Sequence, residues 1–216
     1  MAGVWDHVNQ GARDVGVLVY AMNQEMTPGY GAMPDGYCLG LAAVWLSLRA
    51  KLSDYDYNRD TMELWYPGPK PYHVQKVFDE KLASSDGDLW QSTQAGLARA
   101  NMKPFHGRWQ QTEQSSINTT GLYSVIAKRD SGHVRGGDGF YIVGMKDAEN
   151  HAHAIAIINE PDQGWRLFDA NYGHFKMTGD DYFFKFITWY LQGGVTNYIR
   201  DYPSGWATMG VLPPWG

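Results

Sequence analysis

The sequence predicts an α+β fold in which a mainly helical part, residues 1–130, packs on a mainly β part, residues 131–216. Two observations carry that expectation. Apolar residues recur at helical spacing through most of the first part, and short aromatic or β-branched runs between turn residues follow Gly136. A third bounds the domain count: 216 residues suit one core, and no repeat or low-complexity linker divides them, so 1–216 reads as a single domain.

Taken in order, "VWDHVNQGARDVGVLVYAMNQEM" has helical spacing at Val4, Val8, Val15, Leu18, Val19 and Met22, weakened by Gly11 and Gly16. The Gly/Pro-rich loop "TPGYGAMPDG" follows and leads to Cys38. From there Leu41, Val44, Trp45 and Leu48 form an i, i+3, i+4, i+7 stripe, which predicts an amphipathic helix to about Leu52. Pro67, Pro69 and Pro71 mark a break before two further helical stretches, "YHVQKVFDEKLA" and "DGDLWQSTQAGLARANM". "KPFHGRWQQT" reads as a short strand and "TTGLYSVIAKRD" as another helix.

In the second part, "GFYIVGM", "AHAIAIIN" and "GWRLFDA" predict an antiparallel meander. "GDDYFFKFITWYLQGG" returns to helix, starting at an Asp cap and ending at Gly193. The C-terminal "YPSGWATMGVLPPWG" carries no clear period and reads as an extension, either packed or part of an interface.

Composition narrows the function. A formal net charge of -5 leaves no basic excess for phosphates, so no nucleic-acid partner is expected. One cysteine allows no internal disulfide. The opening "MAGVWDHVNQGARD" lacks the basic segment and apolar run of a secretory signal, and no apolar run has the length of a transmembrane segment. Nine Trp and fourteen Tyr suggest aromatic-rich packing, or a surface shaped for a macromolecular partner.

The single cysteine is either a small packed hydrophobe or a nucleophile. Cys38 stands where a helix should begin, and a helix N-terminus favours the thiolate and offers unused N–H groups to an oxyanion. A nucleophilic thiol needs a base, and the base needs a third group to orient it. His151 and His153 alternate with Ala on a predicted strand and so share a face. Asn159 to Gly164 read as the turn before the next strand, which ends at Asp169. A hairpin centred on Pro161 sets His153 opposite Asp169. A slip of one residue would turn Asp169 to the other face. In the Pro161-centred register His151 would face Asn171, and it is the competing base. His7, His73, His106, His133 and His174 show no metal-ligand spacing, so neither a metal nor another cofactor is expected.

"GYCLGLAAVWL", "HAIAI" and "LFDANYGHF", in this order, resemble the YopT/AvrPphB family of bacterial effector cysteine proteases, which have a papain-like fold. That family has a Cys opening a helix, a His followed by small and apolar residues, then Asp-Pro-Asn-x-Gly. Matched residue by residue, the resemblance implies Cys38 as nucleophile, His153 as base and Asp169 as orienting acid, with Ala170 where the family has Pro. Papain-like enzymes also supply a Gln or Asn to the oxyanion hole from just before the Cys. The nine residues before Cys38 contain neither, so Gln24 and Asn23 are the nearest candidates.

The resemblance implies a protease that cleaves a target-cell protein. It also implies delivery by a bacterial secretion system without a classical signal peptide and action in the target cytoplasm. A toxin against neighbouring bacteria would be expected to have a cognate immunity protein. The same three residues would equally serve a deamidase, or a transglutaminase or acyltransferase. An inactive relative would be a binding module.

Overall fold

The computed structural model describes residues 10–12, 17–24, 36–51, 69–86, 88–112, 122, 139–160, 163–192, 196 and 198–212. In chain order the elements are β1 (Leu18–Ala21), α1 (Cys38–Lys51), α2 (Pro69–Ser84), α3 (Leu89–Arg99), β2 (Lys103–Thr112) and β3 (Gly139–Lys146). They continue with β4 (Ala152–Glu160), β5 (Gly164–Asp169), β6 (Gly173–Met177), α4 (Asp180–Gln192), α5 (Tyr198–Asp201) and β7 (Gly205–Leu212). All seven strands form one antiparallel sheet in the order β1-β6-β5-β4-β3-β7-β2.

Strand alternation divides the core into two halves. On one face Phe140, Ile142, Ala154, Ala156, Ile158, Phe168 and Met209 pack against α1, α2 and α3. On the other, Tyr141, Val143, Ile155, Ile157, Trp165 and Leu167 pack against α4 and α5 through Phe183, Phe186, Tyr190 and Tyr198. The layers are therefore helix, sheet, helix. The expected mixed helical and antiparallel organisation is present, but the sheet lies at the centre and draws β1 and β2 from the part expected to be helical.

Four local expectations change. Leu18 to Ala21 form an edge strand on β6, not part of a helix; Val4, Val8 and Val15 lie outside the described residues. The run Leu-Val-Tyr-Ala fits both periods, and pairing with β6 selects the extended one. Helix α1 is buried nearly all round: Leu39, Ala42, Ala43 and Leu46 are as inaccessible as the predicted stripe, because helices cover what would have been its outer face. Pro69 and Pro71 stand inside the first turn of α2, where a missing N–H costs no helical hydrogen bond. The C-terminal stretch supplies β7, which sits inside the sheet between β3 and β2.

Other expectations hold. Helix α3 is capped by Asp88, whose carboxylate accepts the Gln91 backbone N–H at 2.9 Å. Residues 139–145, 152–159 and 164–169 are strands as expected. Helix α4 opens at Asp180, whose carboxylate accepts the Trp165 indole N–H at 2.9 Å. The helix expected over 119–130 lies outside the described residues, apart from helical Leu122.

Candidate active site

Cys38 opens α1, and the chain enters it through Gly36, whose φ of +79° is a conformation that other residues rarely adopt. Trp45, two turns further on, stacks on Phe168 of β5 with centroids 5.4 Å apart and an interplanar angle of 14°. That contact fixes the helix on the sheet and sets its N-terminus at the start of β4. The Cys38 thiol lies 3.7 Å from the Ala152 carbonyl oxygen, within hydrogen-bonding reach for sulfur, and is near enough to His153, the next residue of β4, to act on its charge.

The β4–β5 turn is shorter than the sequence suggests. Strand β4 continues through Glu160, β5 begins at Gly164, and Glu160 pairs with Gly164. The hairpin is therefore centred on residue 162, and Asp169 stands opposite Ile155 rather than His153. A shift of two residues leaves every side chain on its predicted face. His153 is then a diagonal neighbour of Asp169, and its Nε2 lies 3.1 Å from Asp169 Oδ1.

His151 goes elsewhere. It precedes β4, its side chain is exposed, and its Nδ1 hydrogen-bonds Asp147 Oδ2 at 2.8 Å in the β3–β4 turn. It does not face Asn171 as the centred hairpin required. The structure brings His153, not His151, to Cys38 and Asp169.

Asp169 is wholly buried and well supplied with donors. Its Oδ1 accepts from His153 and from the Asn171 backbone N–H at 2.8 Å. Its Oδ2 accepts the hydroxyls of Tyr190 and Tyr198, each at 2.8 Å. Burial alone would push the carboxyl up, but the His153 charge and these hydrogen bonds outweigh it and hold the group below its ordinary 3.8. Burial likewise pulls His153 down, yet Asp169 and then Cys38 prevail and push it up to about 10.

The Tyr198 hydroxyl, with its proton on Asp169, presents a lone pair to His153 Nε2 at 3.0 Å. Nε2 is thus occupied on the carboxylate side, which leaves Nδ1 for the thiol. The Tyr202 ring stacks on His153 with centroids 6.0 Å apart at 21°; burial, then the Cys38 and Asp169 charges, push its hydroxyl up.

Of the upstream amides, Gln24 reaches the site. Tyr20, Met22 and Gln24 are buried alternately as the chain leaves β1, so the strand's period of two carries Gln24 to the α1 side. Its Oε1 accepts the Tyr37 N–H at 2.8 Å, and its Nε2 donates to Asn171 Oδ1 at 2.6 Å. A backbone N–H can only donate, so the amide's orientation is settled by chemistry. Asn23 is one residue earlier, half-buried and on the alternate face.

At the helix start, Gln75 of α2 accepts the N–H groups of Leu39 and Gly40 at 3.0 and 3.3 Å. With Tyr37 taken by Gln24, the Cys38 N–H is left without a partner among the described residues.

Sequence reasoning missed Asn171, Tyr190, Tyr198, Tyr202 and Gln75 as neighbours of this cluster. Only Asn171 had a signal, its place in "DANYG"; the others come from α2, α4, α5 and the residue after α5, whose approach no local pattern encodes. Among the described residues no group of three or more His, Cys, Asp or Glu could hold a metal ion. His174 is buried against Trp45, 5.1 Å away at 71°; burial, then Arg166, Arg49 and Lys176, hold it well below 6.5. His73 is exposed on α2, while His7, His133 and the side chain of His106 lie outside the described residues.

Comparison with known proteins gives the fold and the family. The crystal structure of the Pseudomonas avirulence protein AvrPphB is similar, with a TM-score of 0.61, over 93% of this chain and 99% of that one, at 18% identity. That likeness gives the fold, which is α+β and papain-like. No curated protein sequence matches. The profile of the Yersinia/Haemophilus virulence surface antigen family, a peptidase family, matches residues 18–202. With most of its length matched, the chain belongs to the Yersinia/Haemophilus virulence surface antigen family, the YopT/AvrPphB-type effector cysteine peptidases.

Proposed function

We propose that this peptidase cleaves a target-cell protein with Cys38 as nucleophile, His153 as base and acid, and Asp169 as the group that orients His153. The observation that carries the reading is that the Cys38 thiol sits 3.7 Å from the Ala152 carbonyl, one residue before His153, while His153 Nε2 lies 3.1 Å from the buried Asp169 carboxylate. His153, pushed up to about 10 chiefly by Asp169, holds the proton it takes from Cys38 and can pass it to the leaving amine.

The thiolate attacks the substrate carbonyl carbon, forming a C–S bond and an oxyanion. The Cys38 N–H, which has no partner among the described residues, and Gln24 Nε2 are the donors for that oxyanion. His153 protonates the leaving amine as the C–N bond breaks. It then takes a proton from water, which displaces the sulfur from the thioester and regenerates the pair.

Cys38 is 1% exposed and His153 3%. Substrate entry therefore displaces groups packed over them, and the Tyr202 ring is one. Family membership supports a protein substrate and an effector role; we read the chain as a toxin delivered by a bacterial secretion system and active in the target cytoplasm. A cognate immunity protein would block this site.

The test is identification of new protein N-termini after target-cell extract is exposed to wild type and to Cys38→Ala. N-termini generated only by the wild type support the peptidase. Gln deamidation or acyl adducts without cleavage would instead assign a deamidase, or a transglutaminase or acyltransferase. Unmodified extract would make the protein a binding module.

A further inference from the structure

The segment Asp169 to Gly173 does more than present the acid. Asp169 ends β5, Gly173 starts β6, and the three residues between them contact the chain leaving β1. The Gln24 backbone N–H donates to the Ala170 carbonyl at 2.9 Å, and the Met22 N–H to the Tyr172 carbonyl at 3.1 Å. The approach is close: a Cβ on Gly173, whose φ is +125°, would stand 2.1 Å from the Tyr20 carbonyl oxygen.

Asn171 joins the two sides with its side chain. Its Oδ1 accepts from Gln24 Nε2 at 2.6 Å, its Nδ2 lies 3.4 Å from the Tyr198 hydroxyl, and its backbone N–H donates to Asp169. Gln24 in turn holds the Tyr37 N–H, one residue from the nucleophile, and its amide lies against Gly36. Asn171 thus takes one of the two Nε2 hydrogens of Gln24 and fixes the plane in which the other points.

We propose that Asn171 is a positioning residue that holds the Gln24 amide in place for the oxyanion, so that one short turn sets both the orienting acid and the oxyanion arm. The proposal rests on the catalytic reading above and deepens it. Asn171 does not touch the reacting atoms; it acts through Gln24. Loosening such an arm by a fraction of its length costs rate because an oxyanion donor works only when aimed.

The experiment compares wild type, Asn171→Ala, Gln24→Ala and the double variant with two thiol probes. One is iodoacetamide, whose reaction with Cys38 makes no oxyanion. The other is the best binder from a panel of capped dipeptide aldehydes, whose hemithioacetal places an oxygen where the oxyanion forms. Asn171→Ala is expected to weaken aldehyde binding about 10- to 100-fold while keeping the alkylation rate within about twofold. In the Gln24→Ala background the same substitution should cost little, because the residue it acts through is gone.

Equal losses with both probes, or additive losses in the double variant, overturn the proposal and leave Asn171 a structural turn residue. If Asn171→Ala does not fold, Asn171→Ser keeps a polar atom in the turn, is too short for Gln24, and must show the same split. A wild type that alkylates in a His153-dependent manner but takes no aldehyde overturns the proposal alone. If Cys38 of the wild type alkylates no faster than that of His153→Ala, and no aldehyde binds, the catalytic reading fails with it.

Discussion

His153 and Asp169 are hydrogen-bonded at 3.1 Å although they are not paired across their strands; the residue opposite Asp169 is Ile155. The diagonal relation lets the carboxylate lie beyond the ring, so that one edge of the imidazole meets the acid and the other meets Cys38. It also opens room for the Tyr190 and Tyr198 hydroxyls on the far oxygen.

Removing the thiol or the ring should stop the chemistry without unfolding the protein. Cys38→Ala and His153→Ala are each expected to lower the rate of substrate cleavage by at least about a thousandfold, since groups that act as a unit fail together. Cleavage rates on the first substrate identified, with circular dichroism of each variant, check this. Retained activity in Cys38→Ala would refute the nucleophile.

Asp169→Asn keeps the shape and removes the charge. An amide offers one acceptor oxygen where the carboxylate accepts His153 and the Asn171 N–H on one side and two tyrosine hydroxyls on the other. At least one buried donor loses its partner and His153 loses its counter-charge. A loss of about 3 kcal/mol in urea unfolding is expected. Tyr190→Phe, which touches Asp169 but not His153 in the hydrogen-bond network, should cost less, about 1 kcal/mol.

Stability should depend on pH in a defined window. His153 titrates at about 10 folded against 6.5 in an unfolded chain, so the stability it adds is complete below 6.5 and lost as pH rises through about 10. Asp169 lies below 3.8 folded, so its contribution is complete above 3.8 and lost as pH falls through the folded value. The stability difference between wild type and His153→Gln should be largest between 3.8 and 6.5 and shrink toward pH 10. Urea unfolding of both proteins across that range measures it, and a constant difference would contradict the charge assignment.

Gly173→Ala should separate the turn from the chain leaving β1. At a φ of +125° and 2.1 Å from the Tyr20 carbonyl oxygen, the added methyl can be accommodated only if backbone moves. The expected cost is about 3 kcal/mol in urea unfolding, together with the weakened aldehyde binding predicted for Asn171→Ala. A near-neutral substitution would show that the close approach does not hold the arm in place.

The sequence by itself determined the local parts of this protein. A glycine before Cys38 and a helical run after it set a thiol at a helix start. Strand alternation put His153 and Asp169 on one face, and that conclusion survived a turn misjudged by two residues because a sheet repeats every two. The motif "DANYG" even contained Asn171 and Gly173, though nothing in the string says what they touch. Where the sequence misled, the local period was ambiguous or hidden. Leu18 to Ala21 satisfy helix and strand alike, and β7, buried on both faces, shows no alternation to read. Tertiary structure decided the rest: that the sheet lies between two helical layers, that His153 rather than His151 comes to Asp169, and that Tyr190 and Tyr198 gather on that carboxylate while Gln24 and Gln75 hold the N–H groups at the start of α1. Those contacts join residues far apart in the chain. Packing of α1, α2, α4 and α5 against the two faces fixes them, and side-chain period carries no information about which distant surface will cover a given face.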